Sequence, residues 1–330
     1  MTEIPDTEEA APSATAAPSV AAGSRGSTAA LRGSTIVVTG VTGQVAEPLA
    51  RALAENNVVF GAARFKDTDA KARLEEAGVK CLPVDLSRGQ LDGLPSDAEY
   101  VLNFAVAKSN DWGTDLDANC GGLALLMEHH RGARAFLHCS STAVYKPNDH
   151  KELSEEEPLG DNHGVWPFLR TYSISKIAAE AVARWGARRF GLPTTIARLS
   201  VPYGSRGGWP AIHVEMLRNG SAIPVHTNGP SVYHPIHEDD ILSTVPGMLG
   251  CASVPATIVN WGGDRTSIEE WTTYLAGLCG LEARFGPTDA TIESVSLDLS
   301  KMHELVGNTK VTWREGMRRM AVTRWPDLVR

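Results

Sequence analysis

Tyr172 and Lys176 have the residue types and the spacing of an acid/base pair. Four positions apart, they lie on one face of a helix, one turn from each other. A free phenol is a poor base at neutral pH, but an ammonium about 4 Å away in an effective dielectric of about 20 stabilises the phenolate by roughly 4 kcal/mol. The spacing therefore predicts that Lys176 lowers the pKa of Tyr172 by about three units. Because the chain has six tyrosines, such a pair also arises by chance and needs independent support.

That support comes from a serine pair, Ser140 and Ser141, which follows the apolar run 135–139. The carboxyl ends of parallel strands collect ligands, so a hydroxyl there is placed to meet a substrate. Ser141 is predicted to hydrogen-bond a substrate oxygen while Tyr172 moves its proton. The alternative is a loop serine that caps a nearby turn.

A glycine loop occupies the junction between the first predicted strand and the first predicted helix. Glycines in this context allow a tight turn and let backbone amides approach a pyrophosphate, which then lies on the helix N-terminus. Ala46 stands where a third glycine is usual, and its short side chain still permits close packing. The loop residues predicted to bind a dinucleotide are Gly40, Thr42, Gly43, Gln44 and Val45.

Arg64 stands about 24 residues beyond Gly40, where a dinucleotide fold presents a ribose-binding acid. An arginine there pairs with a 2′-phosphate that a carboxylate would repel, with help from Lys66. The site is therefore expected to prefer NADP(H), with NAD(H) possible. The alternative is that Arg64 is a solvated surface residue and Asp67 binds the ribose.

Strands and helices alternate along the chain in the way that positions these residues. The pattern predicts an α/β fold, a Rossmann-type doubly wound parallel sheet with a smaller C-terminal substrate-binding lobe. The predicted strands are 35–39, 58–63, 79–84, 100–104, 135–139 and 194–199, and the predicted helices are 44–55, 68–77, 115–130 and 171–189. The predicted domains are a disordered tail (1–32), a dinucleotide-binding domain (33–200) and a mainly substrate-binding lobe (201–330), of which about 235–262 returns to the sheet.

Composition excludes several classes of protein. The 330 residues are 42% hydrophobic, yet no apolar run approaches the ~18–20 residues of a membrane helix, so no membrane partner is expected. A net charge of −8 without a basic block argues against a nucleic-acid partner. The five cysteines form no CxxC pair and suit a reducing compartment, and the acidic, proline-broken start does not resemble an export signal. A cytoplasmic location is expected.

Taken together, the motifs resemble those of the extended short-chain dehydrogenase/reductase family, which includes the NAD-dependent epimerases and dehydratases. The resemblance runs from about Ser34 to the C-terminus. The motifs that carry it, in family order, are Thr39-Gly40-x-x-Gly43-x-x-Ala46, Asp85-Leu86, Asn103-Phe104-Ala105, Asn119, Ser140-Ser141-x-x-x-Tyr145, Tyr172-x-x-x-Lys176 and Arg198-x-x-x-Pro202-Tyr203-Gly204.

The resemblance implies a role for each motif. Ser141, Tyr172 and Lys176 would be the catalytic triad, with Lys176 also holding the ribose hydroxyls. The other implied cofactor contacts are Asp85 and Leu86 beside the adenine, Phe104 and Ala105 along the cofactor, and Asn119 and Pro202 at the nicotinamide end. By the same resemblance the long helices 115–130 and 171–189 would form a homodimer interface.

Two positions depart from the family pattern. Thr142-Ala143 replaces the Asp-Glu pair of dehydratases, which argues against water elimination. Val201 replaces an asparagine of many nucleotide-sugar enzymes, and an aliphatic side chain cannot make the amide's hydrogen bonds. The segment His234-Pro235-Ile236-His237-Glu238-Asp239-Asp240 contains metal-ligand types, but a structural role is preferred, with Asp240 bracing a helix start and no metal expected.

Two aromatic loop segments are the candidates for a substrate wall, since such groups above a sheet edge give an apolar surface with a few polar handles. The predicted wall residues are Trp166, Phe168, Tyr203 and Trp209, and ordinary loop packing explains them nearly as well. The sequence thus predicts an NADP-preferring oxidoreductase that interconverts a secondary alcohol and a carbonyl on a small molecule. The alternatives are a nucleotide-sugar epimerase with tightly held NAD and a non-catalytic cofactor-binding protein.

Overall fold

The computed structural model describes residues 31–329, which form fourteen strands and ten α-helices. The strands are β1 (Thr35–Thr39), β2 (Val58–Ala63), β3 (Lys80–Pro83), β4 (Tyr100–Asn103), β5 (Ala135–Ser141), β6 (Thr194–Leu199), β7 (Pro202–Gly204), β8 (Gly207–Gly208), β9 (Ile223–Val225), β10 (Val232–Tyr233), β11 (Ile236–His237), β12 (Thr257–Trp261), β13 (Thr266–Ser267) and β14 (Phe285–Pro287). The helices are α1 (Ala46–Ala54), α2 (Thr68–Glu76), α3 (Trp112–Leu116), α4 (Gly122–His129), α5 (Tyr172–Phe190), α6 (Trp209–Arg218), α7 (Glu238–Gly250), α8 (Ile268–Cys279), α9 (Ser300–Leu305) and α10 (Trp313–Arg324).

Seven strands form one parallel sheet in the order β12-β6-β5-β4-β1-β2-β3. Because side chains alternate across a strand, β1 sends Ile36 and Val38 to one face and Val37 to the other. The first face packs against α1 and α7, and the second packs against α4 and α5. Burial of both faces explains why these strands are continuous β-branched runs, and the predicted Rossmann-type α/β fold is confirmed.

The C-terminal part of the chain does not form a sheet of comparable size. β12 returns to the main sheet beside β6, as predicted for part of 235–262. β11, from the same stretch, instead pairs with β7 in a three-stranded sheet that also contains β8. Two further two-stranded sheets join β10 with β13 and β14 with β9.

The predicted helix 115–130 is interrupted. α3 and α4 are joined by one wide π-turn, Asp117–Gly121, which contains Asn119. α6 and α7 were not among the helices predicted from the sequence, although Asp240 was expected to brace a helix start. A proline at the start of α6 and Pro246 inside α7 weakened the helical pattern there.

The tail predicted for residues 1–32 lies outside the described residues except for its last two positions. Leu31 accepts a hydrogen bond from Asn57 through its carbonyl, and the Arg32 side chain donates to Asn56. Leu31 and Arg32 are therefore attached to the dinucleotide-binding part of the chain through Asn57 and Asn56. Within residues 31–329 no helix combines the length and the apolar character needed to cross a bilayer.

Candidate functional site

A cavity of about 600 Å³ lies at the carboxyl edge of the main sheet. Parallel strands bring the ends of β1, β2, β4, β5 and β6 to this edge, which is where the chain changes from strand to loop. The cavity is lined by every residue predicted to bind the cofactor or to act in catalysis: Gly40, Thr42, Gly43, Gln44, Val45, Arg64, Asp85, Leu86, Phe104, Ala105, Asn119, Ser141, Tyr172, Lys176 and Pro202.

The glycine loop has the backbone geometry of an anion site. Gly40 has φ +64°, and a Cβ on it would lie 2.7 Å from the Cα of Ala105, so only glycine fits. The Gly43 N–H donates to the Gly40 carbonyl at 2.8 Å and closes the turn. α1 then begins at Ala46 without a side-chain cap from Val45. An uncapped helix N-terminus that faces a cavity fits the pyrophosphate of a dinucleotide.

Gln44 does more than contribute its backbone to this loop. Its side-chain Nε2 donates to the carbonyl of Pro202 at 2.9 Å, so the glycine loop is tied to the start of β7. The sequence offered no signal for this contact, because the two residues are 158 positions apart.

The charged groups near the end of β2 have different partners. Arg64 and Lys66 line the cavity, and neither is engaged in an ion pair with any described residue. Asp67 accepts a hydrogen bond from the Ala70 N–H at 2.9 Å as the N-cap of α2, which lowers the pKa of its carboxyl. Its carboxylate therefore has a structural task, whereas Arg64 and Lys66 are available to a ligand.

Asp85 also lines this end of the cavity. Its carboxylate accepts from the backbone N–H and the hydroxyl of Ser87, at 3.1 and 2.6 Å, and these bonds lower its pKa. Leu86 follows in a 3₁₀ turn and supplies the apolar surface expected beside an adenine.

The catalytic candidates come from two elements that meet at the opposite end. Ser141 ends β5, and Tyr172 and Lys176 form the first turn of α5. The Lys176 Nζ donates to the carbonyl of Cys139 at 2.9 Å, and its burial lowers the pKa of the ammonium. The Ser141 Oγ accepts from the Ala143 N–H at 3.1 Å, so both the predicted cap role and a position in the cavity hold for this serine.

The prediction that Lys176 lowers the pKa of Tyr172 is wrong for this structure. Burial of the phenol dominates and raises its pKa above the ordinary value. Ser141, as a hydrogen-bonding neighbour, and the charge of Lys108 act in the opposite direction but do not reverse the shift. Lys176 points to the Cys139 carbonyl instead, since helical spacing fixes a face but not the direction of a long side chain.

Asn119, in the π-turn, fixes the loop after β4. Its Oδ1 accepts from the Ala107 N–H and its Nδ2 donates to the Ala107 carbonyl, both at 2.8 Å. Nδ2 also reaches the Ser175 hydroxyl at 3.2 Å. Its side chain is therefore committed to positioning the loop against α5, and the wide turn that aims it was not visible in the sequence.

A buried ion pair holds α5 against the sheet. Glu180, one turn beyond Lys176, accepts from Arg198 Nε and Nη2 at 3.0 and 2.9 Å and from the Ser140 hydroxyl at 2.6 Å. Ser140 and Arg198 are cross-strand partners in β5 and β6. Neither Glu180 nor Arg198 is more than 1% exposed, so this pair braces the helix that carries Tyr172.

The predicted aromatic wall is only partly assembled. Trp166 stacks on Phe168 with ring centroids 5.5 Å apart and meets Trp209 edge-on at 5.8 Å. His163 links this cluster to the site, because its ring packs edge-on against Trp166 and against Tyr172. The three aromatic residues thus connect to Tyr172 through His163 and are not among the residues that line the cavity.

Tyr203 lies elsewhere. It is buried, packs edge-on against His237 and donates its hydroxyl to the Trp313 carbonyl at 3.4 Å. It is therefore part of the core beneath α10, and its predicted role in the substrate wall has no support in this geometry.

The histidine-rich segment has structural contacts. His237 is the N-cap of α7, and Asp240 accepts from the backbone N–H groups of Lys310 and Val311 at 2.8 and 3.0 Å. Asp240 thus braces the chain before α10 rather than the start of its own helix. Within the described part of the chain, no three His, Cys, Asp or Glu side chains are arranged to hold a metal ion.

Two residues at the catalytic end were not found from the sequence. Ser200, just after β6, lines the cavity, and its buried hydroxyl has no hydrogen-bond partner among the described residues. Lys108, in the loop after β4, lines the same end. Position after a strand of the sheet was the only signal that could have identified either residue.

Residues 36–245 match the model of the NAD dependent epimerase/dehydratase family. The chain belongs to this family. The predicted resemblance is therefore confirmed. Among curated proteins, the chain is 25% identical over 237 residues to CDP-paratose 2-epimerase of Salmonella typhi, an alignment that covers 62% of this chain and 70% of that protein.

Solved structures of this family have the same fold. UDP-glucuronic acid 4-epimerase from Bacillus cereus, in complex with UDP-glucuronic acid and NAD, superposes with a TM-score of 0.73 at 19% identity, over 87% of this chain and 97% of that one. dTDP-glucose 4,6-dehydratase from Streptomyces venezuelae, with NAD bound, gives 0.71 at 21% identity, over 88% and 96%. At these identities the likeness concerns the fold.

Proposed function

We propose that the protein is a nicotinamide-dependent oxidoreductase that interconverts a secondary alcohol and a carbonyl on a small molecule. The observation that carries the proposal is the convergence of Ser141, Tyr172 and Lys176 at one end of the cavity that also contains the glycine loop. Family membership supports the cofactor class. The proposed division is a dinucleotide-binding domain at 33–200 and a mainly substrate-binding lobe at 201–330.

The side chains supply proton transfer and orientation. A bound nicotinamide supplies or accepts the hydride. The Ser141 hydroxyl donates a hydrogen bond to the substrate oxygen, and the Tyr172 hydroxyl gives that oxygen its proton during carbonyl reduction. Because burial raises the pKa of Tyr172, the phenol is protonated at neutral pH, the form that reduction requires. Lys176 is anchored on the Cys139 carbonyl, which leaves its other N–H groups to orient the ribose.

The test is a titration with NADP(H) and NAD(H), followed by a carbonyl screen with Tyr172→Phe as the variant. Loss of one hydroxyl removes the proton but little contact area, so turnover should fall by about 10²-fold or more while cofactor affinity stays nearly unchanged. Tyr274→Phe is the control, because Tyr274 packs against Trp313 and does not line the cavity. Near-parental turnover in Tyr172→Phe would refute the proposed role.

A preference for NADP over NAD is supported by Arg64 and Lys66. Both line the cavity after β2. The two acids at this end are already engaged, because Asp67 caps α2 and Asp85 accepts from the backbone N–H and the hydroxyl of Ser87. A 2′-phosphate placed between two cations gains charge-assisted hydrogen bonds that a ribose hydroxyl cannot match. The two solved structures described above contain NAD, so cofactor titration decides this point.

The second candidate function is a nucleotide-sugar epimerase with retained NAD. The observation that favours it is the 25% identity to CDP-paratose 2-epimerase. Val201, at the position of the family asparagine, is buried and aliphatic, which argues against it. The two functions differ in net cofactor turnover: the oxidoreductase consumes cofactor in proportion to product, whereas the epimerase returns its hydride to the substrate.

A homodimer is proposed through α4 and α5. Large apolar side chains are exposed along these helices, with Trp185 53% and Leu125 43% exposed, and Ile174 lies at the other end of α5. Pairing of two copies would remove this surface from water. Sedimentation of the parent protein and of Trp185→Glu tests the proposal, since a charge in the interface should yield monomer.

A cytoplasmic location remains a prediction.

A further inference from the structure

Lys108 is the solvent-exposed cation at the catalytic end of the cavity. It is exposed to the cavity that Ser141 and Tyr172 also line, and the ion pairs of residues 31–329 do not include it. Lys176, the other lysine there, is buried and bound to the Cys139 carbonyl.

The backbone on both sides of Lys108 is held by buried polar side chains. On one side, Asn119 binds both backbone groups of Ala107. On the other, the Asp115 carboxylate accepts from the backbone N–H groups of Ser109 and Asn110 at 2.8 to 3.2 Å. Asp115 is fully buried and Asn119 is only 7% exposed. The backbone on both sides of Lys108 is therefore fixed, and the lysine side chain extends from a fixed position.

Both clamps are also tied to the start of α5. Thr171, the residue before Tyr172, donates its hydroxyl to Asp115 at 2.6 Å, and Asn119 donates to the Ser175 hydroxyl. The loop with Lys108 and the turn with Tyr172 therefore form one hydrogen-bonded unit. The effect of the Lys108 charge on the pKa of Tyr172 agrees with this proximity.

Carboxylates line the cavity only at its far end. Within the described residues they are Asp67 and Asp85, which follow β2 and β3. β2 is three strands from β5, or about 14 Å at the usual strand spacing, which exceeds the ~8 Å Debye length of physiological salt. Among the described residues, no carboxylate therefore lines the catalytic end of the cavity. The Asp115 carboxylate lies behind the Lys108 loop, where it is buried and accepts from the N–H groups of Ser109 and Asn110 and from the Thr171 hydroxyl.

We infer that Lys108 forms an anion subsite beside the reacting carbon, so the substrate is a carbonyl compound or alcohol that carries a carboxylate or another anionic group. This inference rests on the proposed oxidoreductase function. A fixed lysine binds such a group as a compact point charge, and Ser200, with its unpartnered hydroxyl, offers a further hydrogen bond at the same end. The pyrophosphate of the cofactor is the other source of anionic charge that could reach Lys108.

The experiment compares acetate with acetamide, which share a shape and differ in charge. The full-length protein is saturated with the reduced nicotinamide nucleotide that binds more tightly, and each probe is titrated against the fluorescence of the bound nucleotide. The parent protein and Lys108→Arg should bind acetate at least about tenfold more tightly than acetamide, the ratio expected for one charge-assisted hydrogen bond. Lys108→Met should bring the ratio close to one. Lys310→Met, at an exposed lysine outside the cavity, should leave it unchanged.

An acetate preference that persists in Lys108→Met would overturn the inference. The inference would also be overturned if Lys108→Met bound the nucleotide about tenfold more weakly while its preference for acetate over acetamide stayed unchanged. Lys108 would then bind the pyrophosphate of the cofactor. Failure of both nicotinamide nucleotides to bind refutes the proposed function separately. In that case the same two probes are followed by tryptophan fluorescence, and their ratio still decides the anion subsite.

Discussion

The buried pair between Glu180 and Arg198 gives the sharpest prediction about stability. Glu180→Gln keeps the shape of the side chain but leaves the Arg198 guanidinium in the core without a counter-charge. Burial opposes the charge on Arg198, and contact with Glu180 outweighs it and raises the pKa of the guanidinium. Removing one partner of a buried pair costs about 3–5 kcal/mol. Because Arg198 Nη1 keeps its bonds to the Tyr145 hydroxyl and the Glu155 carbonyl, the expected loss is about 3 kcal/mol, the lower end of that range.

The assay is urea unfolding followed by far-ultraviolet circular dichroism, with the slope compared between variants to confirm that the same surface unfolds. Glu282→Gln is the matched control, because the Glu282 side chain is 74% exposed in its pair with Arg284 and its replacement should leave stability within error. Replacing both charges, as Glu180→Leu with Arg198→Met, should recover part of the loss. A loss below about 1 kcal/mol for Glu180→Gln would refute the view that this pair is a desolvated brace of α5.

Three further predictions concern the cofactor, the C-terminal segment and acid. Arg64→Asp should weaken NADP binding by about tenfold or more relative to NAD in a calorimetric titration, and an unchanged ratio would place the 2′-phosphate elsewhere. Asp240→Asn should lower stability in urea by about 1–3 kcal/mol, because a buried carboxylate that accepts two backbone N–H bonds is replaced by a weaker acceptor, and an unchanged midpoint would show that these bonds are dispensable. Stability should fall as pH drops from about 6.5 towards 4, because burial lowers the pKa of His138 to about 3 and those of His163 and His213 to about 4, so the unfolded chain binds protons that the folded chain excludes. Melting temperatures measured between about pH 6.5 and pH 4 test this prediction. A melting temperature that does not change with pH would contradict the burial of these histidines in their neutral form.

Local patterns predicted the parts of the site that depend on neighbouring residues. The turn from β1 to α1 was evident because Gly40 and Gly43 stand directly between a β-branched run and an amphipathic one. The position of Arg64 was predicted from its distance of about 24 residues from Gly40, at the end of the second predicted strand. In both cases the physical requirement, a positive φ or a strand end, lies within a few residues of the motif.

Contacts between distant segments were not accessible in this way. Glu180 meets Ser140 and Arg198 only because β5 and β6 pair in one register. Pro202 and Tyr203 are adjacent in the chain, a few residues after β6. The Tyr203 side chain is nevertheless buried in the core beneath α10, whereas Pro202 lines the cavity. Alternation along an extended strand separates such neighbours, and the sequence alone does not state which of them faces a ligand.

Lys176 and Lys108 have different roles at the catalytic end of the cavity. A cation lowers the pKa of a buried phenol only when its charged group lies close to the phenol oxygen. Lys176 is close in sequence but gives one N–H to the Cys139 carbonyl, whereas Lys108 is 64 positions away and has no such anchor. In the proposed reaction Lys176 therefore orients, and Lys108 is the cation that is exposed to the cavity. An anionic substrate would pair with that charge and remove its effect on Tyr172, which keeps the phenol protonated for carbonyl reduction.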